Sequence, residues 1–389
     1  MRLFMAAIVI AITAFTLTGC WNRVELTDWG FVQAAAIDQT DDGKISLTTH
    51  IYKPNGDSSG QGSPGKSYID IVTNSNTLLG ASRDATTELG RKLQWSHMQV
   101  LLISEEIAKS REIHKILDFF SRDHEPRGSI SILITEGRAG DYLHIQPLIE
   151  NTMGQQLKKI EEHASKLSAK TLEMSITDLT IQAHEEGPSG IVVPYATISL
   201  MPKEGVSIAG LAVLNFPERK MSSLIPPAHT PYLLMLMNKF KGGIIDIPCS
   251  KESDKKVETS DSFEVIQVQT KVNPIINGDS LAVKFIITVE GAVGELNCSE
   301  VVTKEEVNKF RTKIKRVTEE RLRKTITLLQ QQKTDVLGIG IHMYRTHNQL
   351  WKKWKPDWEE RFSHINFTVE VDVKLMNTGM NAAKPYFKR

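Results

Sequence analysis

Cys20 ends the run Leu17-Thr18-Gly19-Cys20, and its surroundings specify a chemistry for its thiol. Arg2 supplies a positive start, and residues 3–17 (LFMAAIVIAITAFTL) are almost wholly apolar. A run of about fifteen residues is too short to cross ~30 Å of hydrocarbon as a helix and suits the apolar region of a secretory signal. Small residues ahead of the cysteine fit a narrow peptidase site, and a thiol there accepts diacylglycerol. The four residues match the bacterial lipobox. They predict a signal peptide over residues 1–19, cleavage before Cys20, and attachment of acyl chains such as palmitate to Cys20. Each buried CH₂ contributes ~0.8 kcal/mol, so two or more chains hold a protein stably on a bilayer. The other reading is an ordinary signal or an uncleaved anchor with a chance cysteine.

Few other residues sit in a pattern that carries chemistry. Of the three cysteines, Cys249 and Cys298 remain after Cys20. An oxidising compartment allows them to pair, closing a loop of about 50 residues, and the sequence leaves their pairing open. The eleven histidines are scattered, with no HExxH and no CxxC, so no metal site or cofactor is expected. P-loop, GxGxxG and GxSxG patterns occur only within the Gly/Ser/Pro stretch GDSSGQGSPGKS at 56–67, where composition alone produces them and no helix pattern follows directly. Gly338-Ile339-Gly340 is only a GxG, better suited to close backbone packing. Adjacent acids such as Glu185-Glu186 and Glu359-Glu360 cannot be placed across a cleft, as glycoside hydrolysis requires. The sequence therefore predicts that the chain is not an enzyme.

Charge and hydropathy narrow the class further. Removing residues 1–19 takes away one charge, Arg2, and leaves 46 Lys+Arg against 46 Asp+Glu. A neutral mature chain argues against a nucleic-acid partner and leaves membrane attraction to the lipid. A hydrophobic content of 40% indicates a folded chain, and 389 residues suggest two or three domains. Beyond the signal, the longest apolar run is six residues (232–237), so no second span is expected.

The elements that would carry these residues follow from periodicity. Residues 31–37 and 45–51 flank the turn Asp41-Asp42-Gly43 and read as a hairpin. Residues 55–66 (NGDSSGQGSPGK) read as a loop. Leu78, Ala81, Ala85, Leu89 and Leu93 predict a helix over 77–93. A strand at 98–103, a helix at 105–120 capped by Ser104, and a strand at 129–135 have the length of a βαβ unit with parallel strands. Helices are expected at 140–151 and 155–168, and strands at 191–200 and 206–215.

Residues 184–190 (HEEGPSG) suggest a boundary, a helix is expected at 228–240, and residues 250–259 are a charged connector. Strands at 263–272 and 281–293 flank Asn277-Gly278-Asp279 with a loop longer than two residues. Thr303-Lys-Glu-Glu306 is a capping box opening a long amphipathic helix. Phe367, Val369, Val371, Val373 and Leu375 alternate on a last strand. Trp351, Trp354, Trp358 and Phe362 keep helical spacing around Pro356 and suit either a membrane-interface belt or the core, which the following acids and strand favour. These elements predict a mixed α/β (α+β), multi-domain fold. Its expected parts are residues 20–198, an α/β domain, and 199–389, an α+β domain with a further division possible near 250.

Several stretches, taken in order, resemble the GerC (Ger(x)C) family, the lipoprotein subunit of nutrient germinant receptors of endospore-forming bacteria. They are Gly19-Cys20-Trp21-Asn22-Arg23, Ala36-Ile37-Asp38, HMQVLLIS at 97–104, FSRDHEPR at 120–127 and DVLGIG at 335–340, with Trp354 and Phe362 in the expected tail. The resemblance implies a complex with two membrane-embedded subunits and a place on the outer face of the spore's inner membrane. It also implies a role in answering an amino acid, sugar or nucleoside signal, and it supplies no catalytic residues. Within FSRDHEPR, Arg122, Asp123, Glu125 and Arg127 read as an ion-pair network fixing a helix-to-strand turn, or else as a partner contact.

Three function classes remain: a subunit acting by assembly, a lipoprotein that captures the nutrient germinant directly, and a hydrolase. An apolar pocket with convergent polar groups would favour the second. A pair of separated carboxylates in a cleft would favour the third. An exposed apolar surface would favour the first.

Overall fold

The computed structural model describes residues 1–2, 4–6, 25–53, 66–185, 190–199, 205–216, 218–249 and 259–377. Cys20, most of the predicted signal peptide, the loop at 55–65 and the connector at 250–258 lie outside the described residues.

The chain opens with β1 (Trp29–Gln39), β2 (Ile45–Tyr52) and β3 (Tyr68–Ser75), an antiparallel meander. Helix α1 (Leu78–Leu89) follows, capped by Thr77, whose hydroxyl accepts the Gly80 N–H. Gly90 ends it four residues before the predicted end, and β4 (Lys92–Gln94) pairs with the start of β1. Next come β5 (Val100–Ser104), α2 (Glu105–Ser110), α3 (Ile113–Arg122) and β6 (Ser131–Thr135). β5 lies parallel to both β1 and β6, as the βαβ reading required. The single helix expected at 105–120 is two. Arg111 leaves the helix because its guanidinium reaches Gly43 O and Gln39 Oε1, while Ile113 N–H donates to Arg219 O.

Helix α4 (Ala139–His144) is shorter than the expected 140–151, since Pro147 disfavours helical backbone just before it. Helix α5 (Met153–Leu167) is capped by Thr152. Helix α6 (Ile176–His184) opens with a Ser175–Asp178 capping box that periodicity did not reveal. β7 (Gly190–Ser199), β8 (Gly205–Asn215) and β9 (Met221–Ile225) complete a nine-stranded sheet, ordered β3-β2-β1-β5-β6-β7-β8-β9 with β4 beside β1. β7, which begins at Gly190, belongs to the same sheet as β6, and positions 198–199 are its last two residues.

Helix α7 (Thr230–Leu236) leads to a second sheet, β10 (Gly243–Pro248), β11 (Ser260–Asn277), β12 (Ser280–Val293) and, after four helices, β13 (Asn366–Asn377). β11 and β12 pair from Phe263–Val293 to Asn277–Ser280, so the loop is two residues rather than longer. Gly278 at φ +61° makes that tight turn possible. The four helices are α8 (Lys304–Gln331), α9 (Ile339–Thr346), α10 (Asn348–Trp354) and α11 (Trp358–His364). The Thr303–Glu306 capping box forms as the sequence required. α8 buries Phe310, Ile314, Leu322, Ile326 and Leu329, and its Glu319 accepts the Val371 N–H of β13.

The first sheet is covered on both faces. Val32, Ala35, Ile37, Leu101, Ile103 and Ile132 meet α1–α3 and α6, in a core that continues into the second sheet. Ala34, Ala36, Val100, Leu102 and Leu133 meet α4 and α5. Burial on both faces explains why β5 reads as a continuous apolar run rather than an alternating one. Gln332, beyond α8, hydrogen-bonds Ser223 and Leu224 of β9 and ties the end of α8 to the first sheet. The architecture is the mixed α+β fold that the sequence predicted.

Cys249 and Cys298 form a disulfide, with their Cα atoms 5.9 Å apart. It joins the end of β10 to the segment after β12 across 49 positions. A loop of that length, opened in the unfolded chain, is expected to cost about 2–4 kcal/mol of stability. The Cys249→Ser, Cys298→Ser double variant should therefore show a lower urea midpoint than the oxidised protein. Equal midpoints would show that the bridge is structurally idle.

Candidate functional site

Two of the sequence motifs carry buried carboxylates that serve the backbone. Asp38, at the end of β1, is 2% exposed, and its oxygens accept the Ala139 and Gly140 N–H groups at 2.7 and 2.8 Å. Burial pushes its pKa up, and those two N–H groups oppose the shift. An N–H cluster that would suit an external anion is thus filled by the chain's own side chain. Asp335 is 1% exposed and accepts Leu337, Ile339 and Gly340 N–H, the last at 2.6 Å, and Trp358 Nε1–H at 3.2 Å. Gly338, at φ +75°, turns the chain so that these donors converge. The GxG is therefore a packing device, and DVLGIG is a closed cap.

His50, fully buried, and Asp70 have the look of a base and its orienting acid, with Nδ1 2.6 Å from Oδ1. His144 Nδ1 lies 3.1 Å from the other Asp70 oxygen. However, His50 Nε2 accepts the Met153 N–H at 3.1 Å, which leaves the proton on Nδ1 and no lone pair for a substrate. The trio anchors the start of α5 to β2 and β3.

Glu161, on α5, is fully buried. It accepts hydrogen bonds from Ser131 Oγ, from Lys158 Nζ at 3.2 Å and from Met174 N–H at 3.1 Å. Burial raises its pKa against the pull of Lys158, Ser131 and Met174. A carboxyl with a raised folded-state pKa stabilises the fold most below its unfolded pKa of about 4.3, and that contribution fades as pH rises through the folded value. The stability of the wild type relative to Glu161→Gln should therefore be greater at pH 4.5 than at pH 7. Urea midpoints at both pH values test this, and an unchanged or opposite difference would refute it.

The aromatic tail belongs to the core. Trp351, Trp354, Trp358 and Phe362 are 0–4% exposed, and Trp354 Nε1–H donates to Asp279 in the β11–β12 turn at 2.7 Å. Lys353 and Arg361 pair with the same carboxylate and hold its pKa below the usual range. Cys249, Asp261 and Cys298 cluster closely enough to suggest a metal. With both sulfurs bonded to each other, no thiolate is available, and Asp261 instead accepts the Asn297 and Cys298 N–H groups. Among the described residues, no helix is long and apolar enough to cross a membrane.

The element at 120–127 divides between two tasks. Phe120 is buried. Glu125 accepts the Trp95 N–H and pairs with Lys92 at 3.2 Å, tying the turn after α3 to β4. Arg122 instead pairs with Asp118 at 2.7 Å, one turn back on α3. Asp123 accepts the Glu125 N–H, and Arg127 is exposed with no ion pair to a described residue. The four charges therefore do not form one network. Arg122 and Asp123 line an open cleft of about 840 Å³ between the start of α1 and helices α2 and α3. Its walls come from Ile45 and from within residues 76–83, 110–124 and 220. That separation hid the cleft from sequence reasoning; the exposed Leu79 beside Leu78 was its only local trace.

Residues 22–198 match the family described as spore germination protein N-terminal domain, and residues 209–379 match spore germination B3/GerAC-like, C-terminal. The chain is 25% identical to spore germination protein YndF of Bacillus subtilis (strain 168) over 97% of each chain. It is 23% identical to spore germination protein KC of the same organism, covering 100% of this chain and 99% of that one. The crystal structure of the GerBC protein superposes with a TM-score of 0.59 at 19% identity, covering 88% of this chain and 97% of that one, so the fold is shared. The chain belongs to the GerC family of spore germination proteins.

Proposed function

We propose that this chain is the lipid-anchored subunit of a nutrient germinant receptor, held through acylated Cys20 on the outer face of the spore's inner membrane. It acts by assembly with two membrane-embedded subunits, not by catalysis or by capturing the nutrient. The observation that carries this reading is the fate of the buried polar groups. Asp38, His50, Glu161 and Asp335 are each engaged by the chain's own N–H or side-chain donors, which leaves none of them for a substrate. The lipobox before Cys20 and the match to germination proteins along almost the whole chain support it.

Two measurements test the reading together. Deleting the subunit should abolish the nutrient response of its receptor. Titration calorimetry of the full-length protein in detergent should show binding of amino acids, sugars and nucleosides no tighter than about millimolar, some 4 kcal/mol of binding free energy. A micromolar germinant would overturn it in favour of direct nutrient capture, for which the α1–α3 cleft is the available space.

A further inference from the structure

We propose that the cleft between α1 and α3 is the docking site for an acidic, amphipathic segment of a partner protein. This inference rests on the assembly reading above and adds to it the surface and the chemistry of the contact.

The cleft joins apolar wall and surplus positive charge. Leu78, Leu79, Ile116 and Phe119 contribute apolar wall, and Leu79 is 55% exposed on the first turn of α1. Around them the charge is unbalanced. Lys115 pairs with Glu112 at 2.5 Å, and Arg122 with Asp118 at 2.7 Å, so those charges cancel within α3 and its cap. Arg111 hydrogen-bonds only neutral oxygens, those of Gln39 and Gly43. Arg83 and Lys220 have no ion pair among the described residues. Three cations thus stand against one remaining acid, Asp123.

Apolar wall flanked by surplus positive charge selects a ligand with an apolar stripe and carboxylates beside it. Three arguments favour a protein segment. The cleft is concave, so a flat bilayer cannot fill it. Its apolar share is large for a phosphate-backbone site. And a few apolar anchors in a desolvated groove are how protein partners gain most of their affinity, with rim charges setting partner choice.

The test uses the full-length protein in its membrane complex. p-Benzoylphenylalanine placed at Leu79 should cross-link on illumination to an Asp/Glu-rich segment of a membrane-embedded receptor subunit. The same probe at Ile275, exposed on β11, should not. Arg83→Glu with Lys220→Glu should reduce partner recovery more than about tenfold, because two attractions become repulsions. Arg83→Gln with Lys220→Gln should reduce it less, and recovery by the wild type should fall with added salt. Cross-links only to lipid or to a segment without acids would overturn the proposal, as would charge-reversed protein that recovers partner like wild type. If the wild type itself recovers no membrane-embedded partner, the assembly reading falls and this inference falls with it.

Discussion

Replacing Cys20 by alanine is expected to move the protein from the membrane pellet to the supernatant, or to stop its maturation, while leaving the fold unchanged. The fold is untouched because every described core contact begins at or beyond Trp29. The membrane effect is large because acyl chains are the proposed anchor: two chains hold a protein stably and none leaves only surface attraction. Residues 20–389 are formally neutral, so charge cannot replace the lipid. Fractionation after a high-salt wash measures the outcome. A Cys20→Ala protein that is still processed and still sediments with membranes would defeat the anchoring proposal.

The second large effect is expected at Asp335. Alanine there removes the acceptor for three backbone N–H groups and for Trp358 Nε1–H in a site that is 1% exposed. Each stranded buried donor costs about 1–3 kcal/mol. A loss of about 4 kcal/mol or more should follow, with a change in tryptophan emission as Trp358 loses its partner. Asp335→Asn keeps one accepting oxygen and should lose less. An unfolding free energy from urea titration for Asp335→Ala within about 1 kcal/mol of wild type would show that water has replaced the carboxylate.

How much of this was legible in the sequence depended on whether the deciding contacts were local. The Thr303 capping box and the alternating strand at Val369–Val373 were readable because their geometry repeats within a few residues. The parallel β5–β6 pair was readable because only a crossover of that length fits. The helix expected at 105–120 was misjudged because its break is imposed from outside, by Gly43, Gln39 and Arg219. β3 and β9 were not recognised: β3 carries exposed Ile69 and Val72 among polar residues, and β9 holds two adjacent serines. The disulfide could be allowed but not decided, since nothing in the spacing brings Cys249 to Cys298 until β10 pairs with β11. The caps formed by Asp38 and Asp335 were visible as motifs without a role, because their acceptor geometry exists only after folding.

The position of β7 also limits how this protein can be cut for study. β7 is buried from Gly190 to Ala196 and takes nearly all its ladder from β8, while only Ile134–Tyr195 and Thr135–Ala196 join it to β6. A fragment stopped at residue 198 would present IVVPYATI, uncharged and rich in β-formers, as a bare sheet margin. Such margins recruit one another into aggregates, and Pro194 is a single interruption within this one. An N-terminal fragment that stays dispersed at high concentration should end beyond Ile225, where β9 closes the ladder.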